Sequence, residues 1–267
     1  NNLNTGRYGV GGTGASNTAS LAFGGGPDYK NETESWNGSS WTEVNNLNTG
    51  RRELKGSGTY TDGLAFGGHK NPSTDANETE SWNGTSWTEE NNLSTARQLL
   101  GGTGSSTSAL AFGGGPPDSN ATEEWTGAGV AVLAWSTSGN LNTARTLAGG
   151  AGTQTAGIAF GGTKHPDTNS GETELYNGAT WTEVADLNTA RGQLKGAGSG
   201  TSTATLAFGG VGESAANESW NGSSWTEVGD LNTARRKFGG DGVQTSAIIA
   251  GGHDGTTTST SIAESWN

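Results

Sequence analysis

The chain has no cysteine and no methionine. Without cysteine there can be no disulfide, no thiolate metal site and no cysteine nucleophile, although this does not fix the compartment. Residue 1 is Asn rather than an initiator Met, so residues 1–267 are expected to be a processed or excised piece of a longer polypeptide. No run of eighteen apolar residues occurs, which excludes an apolar helix crossing a membrane, and no membrane insertion is expected. Cations are scarce, 14 Lys and Arg against 26 Asp and Glu, and the net charge of −12 argues against a surface for nucleic-acid phosphates. Proline is limited to five residues. Helical periodicity is missing throughout. What is abundant is glycine, at 48 residues, together with ten Trp. A disordered Gly/Ser chain would not carry so many Trp. Glycine spaced regularly among β-forming residues implies many short strands and tight turns.

The regularity is a repeat. Leu-x-Thr-Ala/Gly-Arg occurs six times, ending at Arg7, Arg51, Arg97, Arg145, Arg191 and Arg235, in steps of 44 to 48 residues. The units begin near residues 3, 47, 93, 141, 187 and 231. Each continues in one order: a Gly- and Thr/Ser-rich run, an apolar burst ending in Gly-Gly (Leu21 to Gly25, Leu206 to Gly210), a variable polar loop, Glu-Ser-Trp, and Asn-Gly-x-x-Trp-Thr-Glu-Val. These are strand-sized runs bounded by turn residues. Asn37-Gly38-Ser39-Ser40 suits a hairpin loop, with Trp36 and Trp41 paired across it. Four strands in a period of 40–50 residues predict a β-propeller.

The Gly-Gly after an apolar strand, the downstream aromatic (Trp36, Trp82, Trp125, Tyr176, Trp220, Trp266), the later Trp (Trp41, Trp87, Trp181, Trp225) and the Arg opening the next unit resemble the kelch repeat over the whole chain. The wording "ESWNGSSWTEVNNLNTGR" also resembles repeats of kelch-like proteins predicted from marine bacteriophages. The expected fold is therefore all-β: a single six-bladed kelch-like propeller of four-stranded antiparallel blades. Ten residues separate Trp36 from Leu47, but only three separate Trp266 from Leu3 through the joined termini. The last blade should thus lack its outer strand within these residues, with the complementing strand lying just outside them.

Several residue sets invite functional readings. The Gly-rich runs suit innermost strands crowded around the axis. They are not followed by helices or by Gly-Lys-Ser/Thr, so they do not form a nucleotide loop, and no cofactor is expected. The recurrence of Trp favours packing between blades over a sugar-stacking platform. The repeated Arg and Glu (Glu34, Glu80, Glu123, Glu174, Glu218, Glu264) suggest that each Arg is held by a carboxylate or by backbone carbonyls. A cationic ring at a pore mouth is the rival reading. The loops after Gly-Gly differ in every unit and hold all five Pro and all three His. They should share one face with the Leu-x-Thr-x-Arg crossovers, placing variable chemistry on a rigid ring. The candidate binding residues there are Asp28, Tyr29, Lys30, His69, Lys70, Asp118, Lys164, His165, Asp167, Glu213, His253 and Asp254. The His fall in alternate blades, which disfavours a shared metal, and no Asp-x-Asp-x-Asp-Gly calcium loop occurs.

Two units depart from the pattern. In blade three the outer strand is expected over the apolar Val130 to Trp135, either as a repacked edge or as a contact with another subunit. In blade six Ala250 replaces the Phe before Gly-Gly while Phe238 appears nearby, as in a volume-conserving swap.

The chain lacks the cysteine that a copper radical oxidase of this fold requires. The four Tyr sit in dissimilar positions and the Arg recur once per blade, unlike a sialidase centre. The expectation is a non-enzymatic module recognising a protein or glycan on a virion or other extracellular surface. The alternative is a structural repeat assembling with other virion proteins.

Overall fold

The computed structural model describes residues 1–127, 134–212, 214–255 and 259–267. Six antiparallel sheets form a six-bladed β-propeller. Blade one runs outward through Gly11–Ser16, Ala19–Phe23, Thr33–Trp36 and Trp41–Val44. Blades two to five repeat this order. Blade six has three strands among the described residues, Gly239–Val243, Ser246–Ala250 and Ala263–Trp266, so the outer strand is missing as expected. Two small hairpins, His69–Asn71 with Thr74–Asp75 and Thr163–Lys164 with Thr168–Asn169, lie within variable loops that the sequence pattern leaves irregular.

Glycine determines how closely the inner strands approach. A Cβ on Gly56 would lie 2.6 Å from Gly12 O and from the Phe23 ring, and one on Gly196 would lie 2.5 Å from Gly150 O. Only hydrogen fits there, because real Cβ contacts do not come this close. The hydrophobic core is therefore divided into six clusters, one between each pair of neighbouring blades. In four of them a Phe meets the outer-strand Trp of the next blade edge-on: Phe23–Trp87, Phe66–Trp135, Phe112–Trp181 and Phe160–Trp225, with ring centroids 4.8–5.3 Å apart. The indole N–H of each of these Trp donates to a Thr hydroxyl of the preceding blade (Thr33, Thr79, Thr122, Thr173) at 3.0–3.1 Å. Nine of the ten Trp are buried, as packing between blades requires.

The repeated Arg joins the blades. Arg51 N donates to Lys30 O and Arg51 O accepts from Gly25 N, both in blade one. Its guanidinium reaches into blade two, where Nη2 donates to Glu80 Oε1 and Nη1 to Gly67 O and Glu78 O. All six Arg make the carboxylate bond, at 2.6–3.0 Å. Arg7 closes the ring: its backbone pairs with Thr260 and Gly252 of blade six, and its side chain with Glu34 of blade one. Burial pushes every one of these guanidinium pKa values down, and the facing carboxylates counter that effect. Arg remains charged under such a shift.

One expectation falls mostly outside the described residues, and one needs correction. In blade three the outer strand is Ala134–Ser138, whose Trp135 is buried and pairs with Trp125. Val130 to Leu133 lie outside the described residues. Trp135 thus fills the core position of the other outer-strand Trp. Phe238 and Ala250 do not compensate each other. Phe238 packs with Phe208 between blades five and six, whereas Ala250 lies with Val10 and Trp41 between blades six and one.

Trp41 meets Ala263 where other outer-strand Trp meet Thr, and its buried Nε1 has no acceptor among the described residues. Ala263→Thr should therefore stabilise the protein by about 1 kcal/mol, the net worth of one hydrogen bond, in urea unfolding. Arg97→Ala should destabilise by about 3–5 kcal/mol, because it leaves Glu123 buried without its cation. An unchanged melting temperature would show that the Arg–Glu pair does not hold the blades.

Candidate functional site

The crossovers and the variable loops share one face, as their direct hydrogen bonds show: Leu47 N to Asn31 O, and Leu93 N to Asn77 O. At the inner rim of this face two residues per unit lie side by side, the one after the repeated Arg and the one after Gly-Gly. The pairs are Tyr8/Gly26, Arg52/His69, Gln98/Gly115, Thr146/Thr163, Gly192/Val211 and Arg236/His253. Blades three to five contribute small or uncharged groups here. Blades six, one and two contribute aromatics and cations.

These side chains form one cluster. The Arg52 guanidinium lies 4.7 Å from the centroid of the Tyr29 ring and 5.9 Å from that of Tyr8. Its Nη1 donates to Tyr8 Oη at 3.0 Å. Tyr29 packs on His69, with centroids 5.7 Å apart, and Tyr8 packs on His253 at 5.6 Å. His69 Nδ1 is 2.8 Å from Asp75 Oδ1, which orients its ring. The result is a continuous partly exposed ladder, His253–Tyr8–Arg52–Tyr29–His69, across three blades. Tyr8, Arg236, Lys237 and His253 line a recess of about 270 Å³ at one end of it. In a protein of net charge −12 this sector concentrates cations beside half-buried aromatic rings. Such an arrangement can stack a planar or sugar ring and pair with an anionic substituent.

The structure thus gathers Tyr29, His69 and His253 of the expected set. Asp118, Lys164 and His165 meet elsewhere, between blades three and four, where Asp118 accepts from His165 N and the three line a shallow recess of about 460 Å³ with Pro117, Thr143 and Ala144. Lys30, Lys70 and Lys164 are drawn into ion pairs with Glu32, Glu78 and Glu172. Asp28 is exposed at its loop tip, Asp167 sits at φ +118°, Asp254 follows His253, and Glu213 lies outside the described residues. The sequence reading missed Tyr8 and Arg52. Both follow a repeated Arg directly, and aligning the units at that position would have exposed their contrast with Gln98, Thr146 and Gly192.

The axis holds a second polar cluster. On the loop face it is closed by a ring of backbone hydrogen bonds through Gly9, Glu53, Leu99, Leu147, Gln193 and Lys237. Each N–H donates to the carbonyl of the preceding blade's residue at 2.7–3.3 Å, and the ring returns from Gly9 to Lys237. All six adopt left-handed φ between 53° and 62°, although five are not glycine. Lys237 and Glu53 pair at 2.6 Å over Gly9. On the opposite face the chain of blade five leaves its sheet after only Lys195–Gly196 and crosses the channel. There Thr103 Oγ1 donates to Gly198 O, and Ser199 Oγ to Gly14 O. Lys55, Lys195 and Asp241 project from inner strands between these closures, near enough to influence one another electrostatically. Desolvation lowers both lysine pKa values, that of Lys55 strongly. The rival reading of the repeated Arg as a cationic pore mouth fails, because all six side chains are buried in ion pairs within the blades. Among the described residues no group of three or more His, Asp or Glu is placed to hold a metal ion.

The fold and rim define a six-bladed β-propeller with a closed axis and a chemically one-sided loop face. Comparison with models of known protein families and with curated proteins finds no match.

Asp241 gives the axis a pH dependence. Burial raises its carboxyl pKa from 3.8 to about 6, against the attraction of Lys195 and bonds from Ser199 N and Gly242 N. The folded state therefore keeps a proton that the unfolded chain releases, and stability falls as pH rises from about 4 to about 6. The loss is on the order of 3 kcal/mol, at about 1.4 kcal/mol per pKa unit. Asp241→Asn should remove that slope in chemical unfolding at pH 4, 5, 6 and 7. It should also leave the variant more stable than the parent at pH 7.

Proposed function

We propose that the protein is a non-catalytic, kelch-like recognition module that binds a protein or glycan partner on its loop face, as a component of a virion or other extracellular surface. The observation that carries this reading is the ladder of Tyr8, Arg52, Tyr29, His69 and His253 at the rim of an otherwise acidic propeller. Binding surfaces commonly combine aromatic faces, which offer large contact at low ordering cost, with a guanidinium, whose planar fork supplies several donors at once. The repeat supports the reading through its division of labour: what recurs packs the blades, and what varies sits on the loops. The kelch-like wording and its likeness to repeats from marine bacteriophages support the surface location. The ladder's chemistry favours a glycan bearing a carboxylate or sulfate over a neutral one. A purely structural role within a larger assembly is the second reading, favoured by the unpaired outer edge of blade six.

The test is binding to a glycan array and to candidate host cells. Tyr29→Ala and Arg52→Ala should each weaken binding by about tenfold or more, the cost of a rim hot spot, with the melting temperature little changed. Binding that ignores both substitutions would remove the ladder from the recognition surface. Absence of binding by folded protein would favour the structural role.

A further inference from the structure

We propose that the open edge of blade six is a receptor for a β-strand carrying Trp-Thr-Glu-Val, recognised through its indole. Four other interfaces show what the receptor is built to hold. In each, an outer-strand Trp packs edge-on against a Phe of the preceding blade and donates its N–H to a Thr hydroxyl there. Where blade six meets blade five the receiving half is present. Phe208 is buried in place beside Phe238 and Trp266, but no outer-strand Trp meets it edge-on among the described residues. The Thr position holds Asn217, 1% exposed. Its Nδ2 donates to Gly229 O at 2.8 Å, and its Oδ1 has no partner among the described residues. A buried amide oxygen without a donor costs about 1–3 kcal/mol, and this one occupies the site where an arriving indole N–H belongs.

Two further groups agree. In blades two, four and five the crossover Asn (Asn48, Asn142, Asn188) uses Nδ2 twice, donating to the repeated Glu and to the backbone carbonyl of the outer Trp at 3.1–3.2 Å. Among the described residues Asn232, its counterpart at blade six, makes only the first of these bonds, to Glu264 at 2.9 Å. Trp266 lacks, among the described residues, the cross-strand aromatic partner that Trp36, Trp82, Trp125, Tyr176 and Trp220 all have. The groove between these groups is open and is lined by Phe208, Asn217, Asn232 and Trp266. The edge of Ala263–Trp266 carries no further strand among the described residues.

The occupant is an extended segment, antiparallel to Ala263–Trp266, with Trp opposite Trp266. A folded copy of residues 1–267 has no such strand to lend, because Trp41–Val44, Trp87–Glu89, Trp181–Val184 and Trp225–Val228 are each paired within their own blades. The partner is therefore a strand of this chemistry that no blade already holds. Pairing of this kind supplies backbone hydrogen bonds for affinity and a side-chain pocket for specificity.

The experiment titrates a synthetic peptide of residues 37–46, Asn-Gly-Ser-Ser-Trp-Thr-Glu-Val-Asn-Asn, into the protein of residues 1–267. NMR would follow the side-chain amides of Asn217 and Asn232 and the indole of Trp266. The expected result is saturable binding that shifts these signals, weakened about tenfold or more by Trp41→Ala in the peptide. Asn217→Thr should bind the peptide, since Thr serves in four other interfaces, while Asn217→Val should lose about tenfold. As a second arm, Gly-Ser-Ser-Trp-Thr-Glu-Val is appended after Asn267, reproducing the hairpin of Trp36–Val44. This extension should raise the melting temperature above that of the same extension with Ala for Trp. A gain there supports the receptor even if the free peptide binds too weakly to detect. Equal binding of the parent and Trp41→Ala peptides would overturn the proposal. So would failure of both the peptide and the extension.

Discussion

The structure depends on one buried ion pair used six times. Each repeated Arg hooks its backbone to the Gly-Gly loop of one blade and its guanidinium to the Glu of the next. A buried pair is a weak source of net stability, because desolvating two charges costs nearly what their attraction returns. Its value lies in geometry. The planar fork meets a carboxylate and a backbone carbonyl together, which fixes the angle between neighbouring blades. Six equal angles close a ring, and Arg7 makes the last joint between the two ends of the chain. The interblade clusters of Phe and Trp then supply the apolar burial that the glycine-rich inner strands cannot.

The centre is tight for the same reason. Six strands converge on it, so glycine lines it wherever neighbouring backbones touch. Five non-glycine residues accept left-handed backbone at the mouth, a conformation that costs about 1–2 kcal/mol each. The ring of hydrogen bonds through them satisfies groups that would otherwise be buried unpaired. With this ring on one side and the crossing loop of blade five on the other, the axis is no route for a ligand. Recognition chemistry is displaced to the rim, and there aromatic rings and cations gather in the sector of blades six, one and two.

Blade six shows what a break in the repeat does locally. Ala250 stands where other blades place Phe, Ala263 where four of them place Thr, and the outer strand is missing among the described residues. Each change leaves a specific group without its usual partner: Trp41 Nε1 on one side of the blade, Asn217 Oδ1 and Phe208 on the other. These defects can be recognised because five intact blades define what belongs at each place.

The sequence by itself determined the blade. Its period, the order of strands, the Gly-Gly turn, the Trp hairpin and the pairing of Arg with a carboxylate follow from residue types at fixed spacing, because a repeat must satisfy the same packing in every copy. The lack of an outer strand in the last blade, counted through the termini, was legible for that reason too. Only the tertiary structure decided what lies between copies. It brought Tyr8 and Arg52 to Tyr29 and His69, drew the loop lysines into ion pairs with glutamates, and made Trp135 a core residue. It also enclosed Lys55, Lys195 and Asp241 in a plugged axis and left Asn217 Oδ1 facing an empty groove. Those neighbours are far apart in the chain or belong to different units, so no local spacing encodes them; the angle between blades does.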